Sequence, residues 1–352
     1  MIKVCYISED ALLPMAQGQL RGGAIFLYYA SKFSDCFVIN PYFKNRPKFD
    51  RVNGATIYRI FGFSNSFLGK IVNSFILFTK GFFIIRKEKP DLILATTTTC
   101  YFPAYLIAKV LKLKCKIHVA SSVQESRLKL FLMKLRYDEI ITISPHLKDQ
   151  IVPVARAPIR IVPNGIDFDI FVPKQNCRER LGVSKEVFLI LYVGAFEKVK
   201  RLEFIIDLFN IFQKRRPQSK LLLVGKGREE KKLKIIAKKL NLSEKIDFKG
   251  LVSHNELASY YSAGDVLLLC SKSEGGSPPR VVLEAMACNM PAISIRQGDD
   301  KELEGLGVLL AKTKEEYLAK LEQVFSGDYP TNLRDKISGF SIEKEISSVI
   351  QL

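Results

Sequence analysis

Runs of five to seven residues rich in Val, Ile and Leu recur along the chain, each followed by a longer stretch whose apolar residues return at helical spacing. In the first half they are IKVCYIS (2–8), CFVIN (36–40), ATIYRI (55–60), DLILAT (91–96), KIHVAS (116–121), EIITIS (139–144) and IRIVPNG (159–165). The second half gives FLILYVG (188–194), KLLLVG (220–225), IDFKG (246–250), DVLLLC (265–270) and PAISI (291–295). Apolar runs without alternation predict strands covered on both faces, and helices between them make the class α/β with parallel sheets. The pattern weakens over 165–185 and then restarts, which predicts two doubly wound domains with a linker near Pro163-Asn164-Gly165. Ligands of such sheets sit at the carboxyl ends of the strands, so two domains place the expected site in the cleft between them.

Composition narrows the class. A chain of 352 residues with 47% hydrophobic and 26% charged content is a globular protein too long for most single cores. Seven cysteines, an odd number with no CxxC pair, sit in or beside apolar runs and read as reduced core residues, neither a disulfide frame nor a zinc site. MIKVCYISED is too short and wrongly flanked for a signal peptide, and no run reaches the roughly 20 apolar residues of a membrane span. The expectation is a cytoplasmic protein, soluble or peripheral. Its net charge of +18 is uneven: residues 1–165 carry +14 and the remainder +4. Such a basic half suits nucleic acid, acidic lipid headgroups or a phosphorylated acceptor, and charge alone does not choose among them. No basic motif interleaved with aromatics supports nucleic acid.

Candidate chemistry gathers at strand ends. Gly194, Gly225 and Gly250 close three strands, where glycine admits a ligand to the backbone and the following helix favours phosphate; turn geometry alone would also explain each. Gly22 and Gly23 open a helix and can cradle a diphosphate or simply make a turn. Lys200 and Arg201 can reach an anion over the strand ends or stand as a solvated pair. In SEGGSPPRVVLEAMACNMPAIS (273–294), Ser277 reads as the N-cap, Pro278 as the first helical residue and Asn289 as the left-handed stop. Glu284, in the second turn, can accept from vicinal ribose hydroxyls, and Glu274 on the preceding loop can face a sugar. The bland alternatives are a basic partner for Glu284 and a dipole role for Glu274.

The ordered set IVPNGID, VGAFEKVKRLEFII, LLLVGKGREEKKL, IDFKGLVSHNELASYYSAGDVLLLC and SEGG…LEAMACNMPAIS resembles the carboxyl-terminal half of glycosyltransferase family 4. The Gly22-Gly23-Ala24 turn, DEIITISPHLKDQI and the ending GFSIEKEISSVI extend the likeness over nearly the whole chain. It implies a GT-B fold: an acceptor-binding Rossmann-like domain (1–167), a nucleotide-sugar-binding one (168–335) facing it across a central cleft, and a helix (336–352) crossing back. It also implies a retaining hexosyltransferase needing neither metal nor cofactor. Glu284 would then bind the ribose, and Gly225 and Gly250 would wall the nucleotide pocket. Gly22 and Gly23 would hold the donor diphosphate, Lys200 would offset charge on the departing nucleoside diphosphate, and Glu274 would hold the donor sugar. Gly194, Arg201, Leu251, Gly275, Gly276, Ser277 and Arg280 complete the expected donor site.

Three departures stand out. Ala195 occupies the place of an arginine that follows the VG turn in the family, and Arg280 is a candidate for the missing charge. Glu274 and Glu284 are ten positions apart where the family has eight. Ala120 or Ser121 takes the place of the family's histidine, and His118 reads as a packed core residue. Asp167-Phe168-Asp169 copies a metal signature of another fold but follows the linker, which fits helix-start chemistry. Residues 66–90 combine Phe67, Leu68, Ile71, Phe75, Phe78 and Phe82 with Lys70, Lys80, Arg86, Lys87 and Lys89, fitting either insertion at an anionic membrane surface or a core helix with a basic end. With the +14 half, this favours a lipid-linked or lipopolysaccharide, capsule or O-antigen type of glycan acceptor and a place at the inner face of the cytoplasmic membrane. The rival reading is an inactive family member that binds nucleotide sugar or a partner glycosyltransferase.

Overall fold

The computed structural model describes residues 2–9, 22–41, 49–52, 54–60, 67–124, 126–271, 278–296 and 301–351. They divide into two compact units, the first holding the residues before Gly165 together with those from Ile342 onward, the second Gly165–Ser341. The boundaries expected at 167 and 336 shift accordingly. Ile166 belongs to the second unit because its N–H donates to Phe340 O at 2.8 Å and it bridges Ser341. The short helix Leu333–Lys336 stays there too, since Leu333 and Ile337 are buried in that unit's core.

The first unit has eight strands: β1 (Lys3–Ile7), β2 (Asp35–Pro41), β3 (Phe49–Val52), β4 (Ala55–Ile60), β5 (Leu92–Ala95), β6 (Lys114–Val119), β7 (Glu139–Thr142) and β8 (Ile159–Ile161). Their order is β3-β4-β2-β1-β5-β6-β7-β8, parallel throughout except for β3 at the edge. Val4, Cys5, Tyr6 and Ile7 are all fully buried, as an unalternating run requires when helices cover both faces. The first connections lead from β1 to β2 on one side and later to β5 on the other, so the switch point lies between β1 and β5.

The C-terminal helix Ile342–Ile350 packs on the helix Gly22–Phe33. Ile342, Ile346 and Val349 recur at helical spacing and are buried. Two cations meet its last carbonyls: Arg160 Nη1 donates to Ser348 O at 2.7 Å and Lys116 Nζ donates to Gln351 O. Glu139 balances both, 2.7 Å from Lys116 Nζ and 2.6 Å from Arg160 Nε. Cations at a helix C-terminus also oppose its dipole.

The second unit is an all-parallel sheet of β9 (Phe188–Val193), β10 (Ser219–Val224), β11 (Ile246–Gly250), β12 (Val266–Leu268), β13 (Ala292–Ile295) and β14 (Leu309–Ala311). Its order, β11-β10-β9-β12-β13-β14, reverses between β9 and β12. That is the dinucleotide-binding order, with its ligand crevice at the reversal. The helix Leu202–Arg215 turns Leu202, Ile205, Ile206, Phe209 and Phe212 onto the sheet and leaves Glu203, Lys214 and Arg215 outside the core.

Candidate active site

Backbone hydrogen bonds lace three strand ends of the second unit into one floor. Gly194 N donates to Val224 O (3.0 Å), Gly225 N to Gly250 O (2.8 Å), Phe196 N to Lys226 O (2.9 Å) and Glu229 N to Phe196 O (3.0 Å). Gly225 lies at φ +140°, and a Cβ there would sit 1.9 Å from Gly194 O. Its glycine is therefore required by the approach of one loop to another. Gly227, absent from the expected site, is under the same demand, a Cβ falling 2.3 Å from Phe196 O. The G-x-G spacing of Gly225-Lys226-Gly227 is the signal that points to it. Leu251, exposed, continues the same edge beyond β11.

Lys200 ends a single 3₁₀ turn, Lys198–Lys200, after β9, and Arg201 follows in the left-handed region at φ 54°. Both are half-buried. The Arg201 guanidinium lies 4.4 Å from the Phe204 ring centroid. Arg201 follows β9, the strand at which the sheet order reverses. Ala195 is exposed, its carbonyl accepting from Tyr192 Oη at 3.0 Å.

The helix expected from Pro278 runs Arg280–Ala287 instead, with Pro279 as its N-cap at φ −57°, ψ 140°. Proline disfavours helical geometry at the residue before it, so Pro279 pushes Pro278 out of the helix and the start moves to Arg280. Val282 N and Leu283 N donate to Pro279 O at 2.8 and 3.2 Å. Asn289 takes the left-handed stop, at φ 58°. Arg280 Nη1 donates to Gly165 O at 2.6 Å, so the candidate for the missing charge also holds the segment after the linker.

Glu284 is buried, 4% exposed, and its Oε2 accepts from Tyr261 Oη at 2.6 Å. Burial pushes its carboxyl up to about 7, against the Tyr261 hydrogen bond and the Arg280 charge. Tyr261 comes from the helix His254–Ala263 and meets Phe171 edge-on at 6.0 Å. No spacing in the sequence announces this partnership, which joins residues 23 positions apart. His254, packed on Phe171 at 5.0 Å, is pushed down to about 4 by burial, with Asp167 working upward and Arg280 downward, and is neutral at pH 7. Asp167 Oδ1 accepts from the N–H groups of Asp169 (2.8 Å) and Ile170 (3.1 Å), so the Asp-Phe-Asp stretch closes a turn.

In the first unit Gly22 and Gly23 are the first residues of the helix Gly22–Phe33. Ser8, Asn40 and Thr96 stand side by side at the paired ends of β1, β2 and β5. Asn40 Nδ2 donates to Ser8 O at 2.8 Å, while Asn40 Oδ1 and Thr96 Oγ1 are buried without a hydrogen-bond partner among the described residues. The Asn40 oxygen can accept a hydrogen bond, and the Thr96 hydroxyl can donate or accept one. His118 is buried on β6 against Phe26, ring centroids 5.7 Å apart, as a core residue. At the place of the family's histidine, Ala120 and Ser121 are exposed and Lys129 Nζ donates to Ser121 Oγ at 2.8 Å. Four expected site residues, Glu274, Gly275, Gly276 and Ser277, lie outside the described residues.

Known proteins give the geometry its context. Residues 35–170 match the family model described as Glycosyltransferase Family 4, and residues 173–341 the one described as Glycosyl transferases group 1. An uncharacterized glycosyltransferase of Methanocaldococcus jannaschii is 24% identical over 273 residues, 70% of this chain and 68% of that one. Other curated relatives are matched over about a third of their own length. Sucrose-phosphate synthase from Thermosynechococcus elongatus superposes with a TM-score of 0.86 at 19% identity, over 100% of this chain and 98% of that one. Anabaena HepE in complex with UDP and glucose gives 0.80 at 16%, over 99% and 98%. These likenesses establish two Rossmann-like domains of the GT-B kind.

Proposed function

The chain belongs to the glycosyltransferases, family 4 in its first unit and group 1 in its second, and from that premise we propose that it is a retaining enzyme. It moves a hexose from a UDP- or GDP-sugar to a lipid-linked or surface-polysaccharide glycan, without a metal, at the inner face of the cytoplasmic membrane. The observation that carries the donor side is Glu284. A carboxylate fixed through one oxygen by Tyr261 in an apolar setting presents the other to the vicinal hydroxyls of a ribose. Lys200 and Arg201, at the reversal of the sheet, oppose charge on the departing nucleoside diphosphate. The complex of Anabaena HepE with UDP and glucose supports a uridine nucleotide and glucose as one donor to try. Asn40 and Thr96, with their unsatisfied oxygens, are proposed to face the acceptor's hydroxyls.

A thermal-shift screen against nucleotide sugars tests the donor side. A ligand present at about 100 times its Kd stabilises the folded state by about 2.7 kcal/mol and raises its melting point. The expected result is a shift with at least one UDP- or GDP-sugar that is reduced in Lys200→Ala; no shift with any of them would overturn the reading. Ala195 and the Ala120-Ser121 position favour a second reading, a family member that binds donor without transferring it. Slow donor hydrolysis without acceptor supports the enzyme, and binding without turnover on any acceptor pool supports the second reading.

A further inference from the structure

Three helices of the first unit begin at the carboxyl edge of its sheet and lie side by side: Phe67–Glu88, Thr98–Leu111 and Arg127–Met133. Ser74 Oγ donates to Thr99 O at 3.2 Å, which sets the second turn of the first helix level with the start of the second. Lys129 Nζ donates to Ser121 Oγ and Ser122 O, holding the third helix against the end of β6.

The early turns of these helices expose large apolar side chains to solvent. Ile71 and Phe75 project one turn apart on the first, Phe102 on the second, and Leu128 and Phe131 on the third, with Phe75 67% and Phe131 57% exposed. These helices bury their other faces normally: Leu77, Ile85, Ala104, Ile107, Leu132 and Met133 are core residues. An exposed aromatic on one helix is unremarkable; five large apolar groups at one rim of three neighbouring helices form a patch.

Charge says what covers it. The three helices carry seven lysines and arginines and one acidic residue, Glu88. Glu88 is already engaged by Lys3 at 2.9 Å and Tyr58 at 2.5 Å. Arg127 and, just past the third helix, Lys134 are exposed and flank the patch beside Leu128 and Phe131, while Lys80, Arg86 and Lys87 continue the first helix toward the amino edge. Aromatic and aliphatic groups flanked by cations, with no free acid among them, match a surface that is apolar below and anionic above. Among the described residues no helix is long and apolar enough to cross a membrane. The fit is to the interface plane.

We propose that this rim is a docking surface for an anionic lipid bilayer, with Ile71, Phe75, Phe102, Leu128 and Phe131 entering the headgroup boundary and the flanking cations lying at phosphate level. It rests on the reading that the first unit serves a lipid-linked acceptor, and extends the 66–90 segment to a surface in which two further helices take part. Anchoring beside the carboxyl edge brings lipid-borne substrate to the strand ends where Ser8, Asn40 and Thr96 stand.

The test uses the full chain in co-sedimentation with vesicles of phosphatidylcholine alone and of phosphatidylcholine with about one third phosphatidylglycerol. Binding is expected to the anionic vesicles only and to weaken with salt. Phe75→Ser with Phe131→Ser should reduce it about tenfold or more. Phe33→Ser, at the far end of the helix Gly22–Phe33, should leave it unchanged. The nucleotide-sugar thermal shift of each variant reports that the fold is intact. Equal binding by the double variant would overturn the proposal, as would retention on heparin or DNA without vesicle binding. Vesicle binding with no nucleotide-sugar shift would instead overturn the enzymatic reading and leave the surface standing.

Discussion

Replacing Glu284 by glutamine separates what the buried carboxylate costs from what it does. Its carboxyl is pushed from the ordinary 4.5 up to about 7, chiefly by burial, with the Tyr261 hydrogen bond and Arg280 working the other way. A rise of that size corresponds to about 3 kcal/mol against the ionised form in the folded state. Between pH 4.5 and about 7 the native protein holds one proton that the unfolded chain has released, so stability falls as pH rises, and the full cost is present above about 7. Glutamine keeps the shape and an acceptor for Tyr261 Oη but does not titrate. In urea unfolding from pH 4 to 8, wild type and Glu284→Gln should nearly coincide at pH 4 and separate by up to about 3 kcal/mol by pH 8, the variant being the more stable. Nucleotide-sugar affinity should move the opposite way, weakening about tenfold or more as a charged acceptor becomes a neutral one. In the wild type, that affinity should rise with pH through about 7, as the carboxylate ionises. Parallel stability curves would refute the burial argument, and unchanged affinity would refute the ribose role. Tyr261→Phe provides a cross-check: losing the hydrogen bond that holds the carboxyl down moves the pH-dependent window upward.

Other expectations concern the frame. Gly225→Ala places a Cβ 1.9 Å from Gly194 O and should cost about 3 kcal/mol or more in urea unfolding, whereas Gly250→Ala, at φ +77° and 3.4 Å from the Lys226 side chain, should cost about 1–2 kcal/mol. Equal costs would deny that the two loops are locked together. Glu139→Gln leaves the buried Lys116 ammonium without its counter-charge and should destabilise by about 3 kcal/mol. Proteolysis should then release the segment after Ile342 first, and an unchanged cleavage pattern would count against the clasp. Arg280→Ala removes a cation near Glu284 and the contact to Gly165 O, and should weaken nucleotide-sugar binding; unaltered affinity would remove Arg280 from the donor site.

Much of the fold was legible because its signal is local. An unbroken apolar run such as KVCYI is fully satisfied only between two helical layers, and twelve such runs correspond to twelve of the fourteen strands among the described residues. The two missed lack that signal. β3 is the antiparallel edge, FDRV, whose sign was the Asn53-Gly54 pair between it and β4, and β14 is three residues long. Glycine positions were also readable, but not their reason: Gly225 looks the same in sequence whether a phosphate or a neighbouring carbonyl needs the space. The helix starts at Arg280 and not at Pro278 because the second proline disfavours helical geometry at the first.

The sequence by itself determined the elements, the two parallel sheets and the strand-end loops that carry the candidate chemistry, since hydrophobic period and turn residues act within a few positions of themselves. Tertiary structure decided the partners. Tyr261 reaches Glu284, and three successive helices bring their exposed apolar groups to one rim. Each depends on strand order, which is set by how the helices pack across the sheet and leaves no mark at the residues it brings together.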